Sequence, residues 1–520
     1  MRLRKLMELR IRPAALIFAV LLLAGATGCN DDNNNENLPR FEDADCSEVV
    51  PYTDKGLPTP EDIGISRCGF LFVPEKHTES TGRSIRLAVI IVPSVNQPPL
   101  PDPVVFLAGG PGGSALIEMD LLVASGVNQE RDLILMSQRG TVFSDPELMC
   151  PELDEYYIES LNFPVDSQEN RDAHDAASEA CSLRLAGNGI DISAYDTVEN
   201  AADFADLRRA LGIAEWNVFG VSYGTYLAQT LMYQHPEGIR TVTLDSVEPL
   251  DDAIMASLMA PNAREGLDNF FAACEAQPAC AAAYPDLAGT FTSLVNELEA
   301  NPITASVEVS PGNPVDVVLD GGAIVNGIID NTFNTQSFPN VPLWIDQLNN
   351  GQPENIARLR AVPAFTPPGV LAYGMTFGMI CSGYMAEDSE ESVLTFGQQA
   401  FPDYPDSVLA PSLHFTFALD DCEIWDIPKT PKALRTATGS DIPTLVVSGT
   451  FDAVTPPSTG VKGAIPLTNS IVLAFPGVGH AVIQSNTCAQ EVFASFLDNP
   501  EAPDTSCAAV LQPAPFIVEE

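Results

Sequence analysis

The stretch that decides the fold is residues 216–234, which read WNVFGVSYGTYLAQTLMYQ. Residues 216–219 are apolar and predict a short strand, and residues 225–234 predict a helix. Between them stands Gly-x-Ser-x-Gly, which puts Ser222 on a tight strand-to-helix turn. Glycine suits both flanking positions because a Cβ there would collide with the neighbouring strand or helix. The pattern predicts a serine whose hydroxyl stands clear of a sheet.

Two further strand ends supply an acid and a base. The apolar residues 445–448 precede Asp452, and the apolar residues 471–475 precede His480. A serine hydroxyl needs an imidazole base, and a carboxylate on the far ring nitrogen fixes the tautomer of that base. The order Ser, Asp, His, each just beyond a predicted strand, is that of the α/β-hydrolase fold. We therefore expect Ser222 to be the nucleophile, His480 the acid/base and Asp452 its charge partner.

The other four histidines stand in settings that do not suggest catalysis. Only His480 is flanked by glycine at a strand end. We interpret the others as surface, helix-end or packing residues: His77 and His174 as solvated, His235 at a helix end, and His414 in a core or cap.

A glycine-rich loop is the candidate oxyanion hole. Residues 104–107 predict a strand that runs into AGGPGGS at residues 108–114. Such a loop exposes backbone N–H groups, so we expect Gly109 or Gly110 to act with the N–H of Tyr223. A phosphate-binding turn is the alternative, but no Gly-Lys-Ser/Thr follows and the dinucleotide spacing does not fit.

The alternation of predicted strands and helices indicates an α/β protein with a doubly wound, mostly parallel sheet. This alternation stops over residues 251–437 and resumes at residue 442. An insertion between triad members predicts a mainly helical cap over the active site, and an unrelated inserted domain is the alternative. The predicted parts are a signal peptide 1–28, an acidic tether 29–45, a first core part 46–250, the cap 251–437, a second core part 438–500 and a tail 501–520.

The N-terminal residues predict export. Basic residues are followed by an apolar run at 14–24 and by small residues before Cys29, which is the pattern of a signal peptide rather than a membrane span. Cys29 followed by a polar stretch resembles the bacterial lipoprotein signal, which implies lipidation of Cys29 and contact with a membrane only through that anchor. An ordinary secreted protein that is cut nearby is the alternative.

The cysteine count agrees with export. There are 11 cysteines, and without Cys29 ten remain, an even number that suits disulfides in an oxidising compartment. The sequence does not fix the connectivity, and pairing of neighbours is the simplest choice. Those neighbours are Cys46/Cys68, Cys150/Cys181, Cys274/Cys280, Cys381/Cys422 and Cys488/Cys507.

The net charge and the spacing of His and Cys limit the molecules and ions that the protein is expected to bind. The formal net charge of −45 predicts repulsion of nucleic acid and of anionic lipid. His and Cys do not occur in the close pairs of zinc sites, so we expect no metal and no cofactor. No feature of the sequence indicates an oligomeric state.

Several motifs together resemble the prolyl aminopeptidase and tripeptidyl aminopeptidase family of serine exopeptidases, over about residues 64–500. They are residues 108–113, Gln138-Arg139-Gly140, residues 220–225, residues 452–456 and Gly479-His480. The resemblance is to the exported, tripeptidyl aminopeptidase-like branch, and it implies the same three catalytic residues. The chain departs from the family pattern at Ala108, where histidine is common, and at Ser137, where aspartate is common. Arg139 is expected to be structural.

The resemblance implies peptide substrates with free N-termini and release of one to three residues. An exopeptidase of this kind needs carboxylates for the α-ammonium group, and we expect Glu423 and Asp426, then Glu387, to serve. The same triad would also suit a carboxylesterase or lipase, because the fold does not choose between acyl groups. A non-catalytic surface-binding lipoprotein is a third possibility, against which the intact triad argues.

Overall fold

The computed structural model describes residues 38–50, 66–79, 82–310, 312–365 and 370–519. The predicted signal peptide, Cys29 and the first part of the predicted tether lie outside the described residues. Within the described ranges, no helix combines the length and the apolar character that crossing a bilayer requires.

A mixed sheet forms the centre of the described chain. It has nine strands in the order β1-β2-β3-β5-β4-β6-β7-β10-β11, and a separate hairpin joins β8 to β9. Strands β1, β2, β3 and β5 pair antiparallel, and the pairs from β5 through β4 to β11 are parallel. The strands are β1 Arg40–Ala44, β2 Arg67–Pro74, β3 Ser84–Val92, β4 Leu100–Leu107, β5 Arg131–Met136, β6 Trp216–Val221, β7 Ile239–Asp245, β8 Ile303–Ser310, β9 Asn313–Leu319, β10 Thr444–Gly449 and β11 Ser470–Phe475.

The predicted α/β-hydrolase fold with a mostly parallel sheet is confirmed. Strand β6, which leads to Ser222, is buried along its whole length, as expected of a central parallel strand with both faces covered. The ring of Phe219 packs edge-on against Phe106 of β4 at 5.3 Å. The described residues before the insert contain six α-helices: α1 Cys46–Val49, α2 Met119–Ala124, α3 Pro151–Glu159, α4 Gln168–Gly187, α5 Thr197–Ala210 and α6 Tyr223–Gln234.

The segment between β7 and β10 is mainly helical, as expected for residues 251–437. It also contains the β8–β9 hairpin, which was not predicted. Its helices are α7 Met255–Ala276, α8 Pro278–Ala283, α9 Leu287–Ala300, α10 Gly321–Asp330, α11 Val341–Asn349, α12 Glu354–Ala364, α13 Tyr373–Met379, α14 Glu390–Ala400, α15 Asp406–Leu409 and α16 Ala418–Trp425. We call this segment the insert. After it come α17 Pro457–Ala464, α18 Val482–Ser485 and α19 Thr487–Asp498.

The predicted acidic tether 29–45 extends too far, because its last part is the edge strand β1. Phe41 is the one large apolar residue of this strand, so the sequence carries little strand signal. Contacts with β2 hold it: the Arg67 guanidinium lies 5.0 Å from the centre of the Phe41 ring and donates to Asp43 at 2.5 Å. Gly69 is required opposite, since a Cβ there would lie 2.4 Å from the Phe41 ring.

The C-terminal tail 501–520 is largely irregular, as predicted, but its end packs against the molecule. Phe516 is buried, and its ring contacts Phe270 of the insert at 5.4 Å. The N–H of Ile517 donates to the carbonyl of Pro339 at 2.8 Å. These contacts attach the C-terminal end of the chain to the insert.

The structure contains five disulfides, and they join the neighbouring cysteines suggested by the sequence. They are Cys46–Cys68, Cys150–Cys181, Cys274–Cys280, Cys381–Cys422 and Cys488–Cys507. Disulfides of this number indicate a protein that folds in an oxidising compartment.

His77 and His174 are not solvated surface residues. His174 is buried, and its ring nitrogens lie 3.1 Å from Asp175 and 3.3 Å from Asp421. His77 lies 2.6 Å from Glu199 of α5 and 3.2 Å from Asp206 of the same helix. Both imidazoles therefore neutralise carboxylates that the fold has partly removed from water.

The His77 contact predicts a pH-dependent contribution to stability. Burial opposes the charged imidazole, but the carboxylates of Asp206 and Glu199 outweigh burial and raise the pKa of His77 to about 9. The charged form therefore stabilises the fold fully below the ordinary histidine pKa of about 6.5, and this contribution is lost as the pH rises through about 9. In thermal unfolding, His77→Gln should lower Tm more at about pH 6 than at about pH 10.

His235→Gln is the matched control. Burial lowers the pKa of His235, so the contribution of this residue to stability falls as the pH drops below about 6.5, and His235→Gln should lower Tm less at about pH 6 than at about pH 10, the opposite of His77→Gln. A Tm difference for His77→Gln that is the same at both pH values would contradict a charged His77.

Candidate active site

Ser222 stands on the strained turn that the motif predicts. It lies between β6 and α6 with φ 58° and ψ −128°, in the left-handed region that residues other than glycine rarely adopt. Its N–H donates to the carbonyl of Asp245 at 3.0 Å. Glycine is required on both sides: a Cβ at Gly220 would lie 2.3 Å from the Gly224 oxygen, and one at Gly224 would lie 2.0 Å from the Leu107 oxygen.

Asp452 is fully buried at the turn after β10. Its Oδ1 accepts hydrogen bonds from the backbone N–H groups of Val454 and Thr455, both at 2.9 Å. Its Oδ2 accepts from the Thr455 hydroxyl at 2.6 Å and lies 2.8 Å from Nδ1 of His480. Burial would raise the pKa of Asp452, but the charge and hydrogen bond of His480 and the contacts with Thr455 outweigh it and lower this pKa. The carboxyl group is therefore held as a carboxylate.

His480 is buried at the turn after β11. Because Asp452 is ionised, Nδ1 of His480 is the nitrogen that carries the proton in the neutral ring. Burial would lower the pKa of His480, but the Asp452 charge and hydrogen bond outweigh it and raise this pKa. The other ring nitrogen, Nε2, is buried and makes no hydrogen bond within the described part of the chain. It is therefore free to accept a proton.

Ser222 and His480 both line one cavity of about 670 Å³. The core contributes Gly109, Gly110 and Tyr223 to the same lining. The insert forms other parts of the wall, with Phe333, Tyr384 and His414 among its contributions. The volume lies within the range of about 300–1,000 Å³ that small-molecule sites occupy. The insert therefore borders the space in front of the serine.

The predicted oxyanion-hole residues lie beside Ser222. Gly109 approaches so closely that a Cβ on it would lie 3.0 Å from Cβ of Ser222. Gly110 has φ +113°, which favours glycine. Tyr223 opens α6, where backbone N–H groups have no partner within the helix. All three residues line the same cavity as Ser222.

In the Gln138-Arg139-Gly140 motif, Gln138 holds the glycine-rich loop and Arg139 forms a buried ion pair. The Gln138 amide donates to the carbonyl of Ala108 at 3.0 Å and accepts from Asn200 at 2.6 Å. Arg139 is fully buried and binds both carboxylate oxygens of Asp203 at 2.7 Å. Arg139 is absent from the cavity lining, as expected of a structural residue.

Asp245, at the end of β7, supports the loop of His480 and was not predicted from the sequence. It is fully buried, and its carboxylate accepts from the N–H groups of Val482 at 2.9 Å and Ile483 at 2.8 Å. The neighbouring Ser246 hydroxyl accepts from the N–H of Ala481 at 3.0 Å. Three successive N–H groups after His480 are thus held by two residues. An acidic residue at the end of a strand was the available signal.

The three carboxylates expected to bind a substrate N-terminus do not line this cavity. Glu423 and Asp426 are absent from its lining, and so is Glu387, whose half-exposed carboxylate pairs with Arg435 at 2.5 Å. The cavity is lined instead by Glu118, Glu248, Asp330 and Asp421. With 70 acidic residues in the chain, no local pattern distinguished these four.

Glu248 differs from the other cavity carboxylates in having no partner. It is 5% exposed, and its side chain makes no hydrogen bond or ion pair with any residue that the structure describes. Its backbone is fixed to the nucleophile helix, because its N–H donates to Thr225 at 2.8 Å and its carbonyl accepts from Gln229 at 2.7 Å. Burial, together with the charges of Asp252 and Asp452, raises its pKa well above the ordinary value.

The described residues contain no group of three or more His, Cys, Asp or Glu side chains arranged to hold a metal ion.

Two family matches agree with the geometry. Residues 102–306 match the α/β-hydrolase fold family, and residues 413–507 match the family of TAP-like proteins. Among solved structures, a thermophilic esterase from Thermogutta terrifontis covers 81% of this chain and 95% of its own, at 13% identity and a TM-score of 0.34. The fold and the family matches define a serine hydrolase of the α/β-hydrolase class.

Two relatives indicate which kind of serine hydrolase the chain is similar to. Serine protease Hip1 of Mycobacterium tuberculosis is 26% identical over 476 residues, which cover 84% of this chain and 85% of the relative. The tripeptidyl aminopeptidase of Streptomyces coelicolor is 28% identical over 205 residues, or 37% of this chain and 36% of the relative. The α/β-hydrolase and TAP-like matches and these relatives indicate a serine hydrolase of the peptidase type.

Proposed function

We propose that this protein is an exported serine aminopeptidase that releases one to three residues from peptides with free N-termini, through an acyl-enzyme on Ser222. The observation that carries the proposal is the 2.8 Å contact between Asp452 and His480, which leaves Nε2 of His480 unpartnered in the cavity that Ser222 also lines. Nucleophile, base and orienting carboxylate are the three parts that serine acyl transfer needs.

In the first step, Oγ of Ser222 attacks the carbonyl carbon of the scissile peptide bond while Nε2 of His480 accepts the hydroxyl proton. The Asp452 carboxylate stabilises the imidazolium that forms. The negative charge on the carbonyl oxygen is stabilised by the N–H of Tyr223 and by an N–H of Gly109 or Gly110. Backbone donors that the fold holds rigid would need no reorganisation during the reaction.

In the second step, the imidazolium of His480 gives its proton to the leaving amine, and the C–N bond breaks. Water then enters, His480 removes a proton from it, and the hydroxide attacks the ester carbonyl of the acyl-enzyme. Collapse of the second tetrahedral intermediate returns the proton to Ser222 and releases the N-terminal fragment. The same residue is therefore base and acid in turn.

Glu248 supports the preference for a free N-terminus. A buried carboxylate without a partner is costly, and an α-ammonium group of the substrate would supply the missing opposite charge. Glu248 replaces Glu423, Asp426 and Glu387 in this role because it lines the cavity of Ser222 and they do not.

The catalytic assignment predicts the loss of nearly all turnover in Ser222→Ala and in His480→Ala, by roughly 10⁴-fold or more, because the hydroxyl is not activated without its base. Peptide hydrolysis is measured together with Tm. Ser306→Ala is the matched control, since Ser306 is exposed on β8, and its activity should equal that of the wild type. Full labelling of Ser222→Ala by a serine-directed fluorophosphonate would show that another serine is the nucleophile.

The substrate assignment predicts faster cleavage of free than of N-acetylated peptides. A blocked terminus cannot form the charge-assisted contact with Glu248 that a free α-ammonium group would form, a loss of typically about 1–3 kcal/mol, or on the order of 10- to 100-fold in rate. Glu248→Gln should reduce this preference and leave hydrolysis of a simple ester nearly unchanged. Glu423→Gln makes the same change on an exposed residue and should keep the preference.

These measurements distinguish three hypotheses about the substrate and the residue that binds its N-terminus. Equal wild-type rates on free and blocked peptides would refute N-terminal recognition. Activity confined to short-chain esters would identify a carboxylesterase. A preference that survives Glu248→Gln but disappears in Glu423→Gln would assign the α-ammonium to Glu423.

We also propose that the mature chain begins at an acylated Cys29 and that its other ten cysteines form the five disulfides. Intact-mass measurement should give an N-terminal mass increase from acyl chains, which Cys29→Ser removes. Alkylation of the unreduced, folded protein should add no mass. An unmodified N-terminus would exclude the anchor, and two or more alkylated thiols would exclude five disulfides.

A further inference from the structure

Helix α10 of the insert ends in a short turn, Asn331–Phe333, that reaches the loops of both Asp452 and His480. Thr332 in this turn is 1% exposed, and it lies about 120 residues before Asp452 in the chain. Its contacts are made to the backbone that carries the acid and the base.

On the acid side, Thr332 holds the backbone before and after Asp452. Its hydroxyl donates to the carbonyl of Phe451 at 3.2 Å and accepts from the N–H of Ala453 at 3.2 Å. The same oxygen lies 3.4 Å from Oδ1 of Asp452. One hydroxyl group thus fixes the residues on both sides of the carboxylate.

On the base side, the carbonyl of Thr332 accepts the N–H of His480 at 2.9 Å. This approach needs glycine before the histidine, since a Cβ on Gly479 would lie 2.2 Å from the Thr332 oxygen. The hydroxyl of Thr335, in the same part of the insert, accepts the N–H of Gly479 at 3.0 Å. The glycine in the Gly479-His480 motif is therefore explained by contact with the insert.

The next residue, Phe333, continues the contact into the cavity. Its ring lies edge-on to the imidazole of His480, with 4.8 Å between the ring centres, and it is 52% exposed. The turn therefore contacts the backbone of His480 through Thr332 and the ring of His480 through Phe333.

We propose that Thr332 is a positioning residue for the Asp452–His480 pair, so that the insert takes part in catalysis as well as in forming the cavity. The proposal rests on the roles assigned above to these two residues. The two loops also contact each other directly, since the N–H of Phe451 donates to the carbonyl of Val478 at 2.9 Å. Loss of the Thr332 hydroxyl should therefore loosen the pair without separating it.

Thr332→Val tests the proposal, because valine keeps the shape and the backbone carbonyl and removes only the hydroxyl. We expect kcat to fall about 10-fold with little change in KM, since the change affects the acid and base rather than substrate contacts. A looser pair also weakens the effect by which Asp452 raises the pKa of His480. The acid limb of the kcat/KM profile should therefore move to lower pH. Thr332→Ser, which keeps the hydroxyl, should restore both values.

Thr304→Val is the matched control, because Thr304 is exposed on β8, and it should leave kcat and the pH profile unchanged. A Thr332→Val protein that is less stable but has the wild-type kcat and the same acid limb would show a structural residue only and would overturn the proposal.

The rate of fluorophosphonate labelling separates this proposal from the proposed function, because labelling needs an activated serine but no peptide. Absence of labelling at Ser222 in the wild type would refute the proposed function. Labelling of the wild type and of Thr332→Val at equal rates would refute the role of Thr332 alone.

Discussion

The contact between the Asp452 carboxylate and the His480 imidazole, 2.8 Å long and fully buried, is the interaction on which the site depends. Burial alone would make both groups neutral, because a low dielectric disfavours charge. Each group instead stabilises the charged form of the other. The interaction lowers the pKa of Asp452 and raises the pKa of His480. Such a pair is stable only when the remaining polar atoms are satisfied. Asp452 meets this condition through the backbone and hydroxyl groups of residues 454 and 455.

The sheet determines where this pair can form. Strands β6, β7, β10 and β11 are parallel neighbours, so their carboxyl ends lie on one edge of the sheet. Ser222, Asp245, Asp452 and His480 each follow or end one of these four strands. Residues that are about 20 to 260 positions apart in the chain therefore meet at one edge without long loops. Asp245 of the core then fixes the loop of His480, and Thr332 of the insert contacts the loops of both Asp452 and His480.

The sequence predicted those parts of the molecule that local patterns encode. The strand predicted at residues 471–475 is β11, Ser470–Phe475, because its residues are almost all apolar, and Ser222 was found because an elbow needs glycine at fixed positions. Strand β1 was missed because Phe41 is its one large apolar residue, and its pairing with β2 depends on backbone and side-chain contacts with a distant part of the chain. The roles of Glu248 and Thr332 were missed for a related reason. Each depends on residues far away in the chain, and nothing in the neighbouring sequence distinguishes that glutamate or that threonine from the others.

The negative charges around the cavity connect substrate binding to the state of the base. Asp245 and Glu118, together with Asp452, raise the pKa of His480, which favours the imidazolium. The proposed mechanism needs the neutral imidazole to accept the proton of Ser222, so the field of these carboxylates opposes the first step in the empty cavity. An α-ammonium group bound at Glu248 adds a positive charge to the same cavity and offsets part of that field. A free N-terminus would then do more than anchor the substrate, because it would also favour the protonation state of His480 from which the reaction starts. A blocked peptide lacks this charge and would leave the raised pKa of His480 without that compensation.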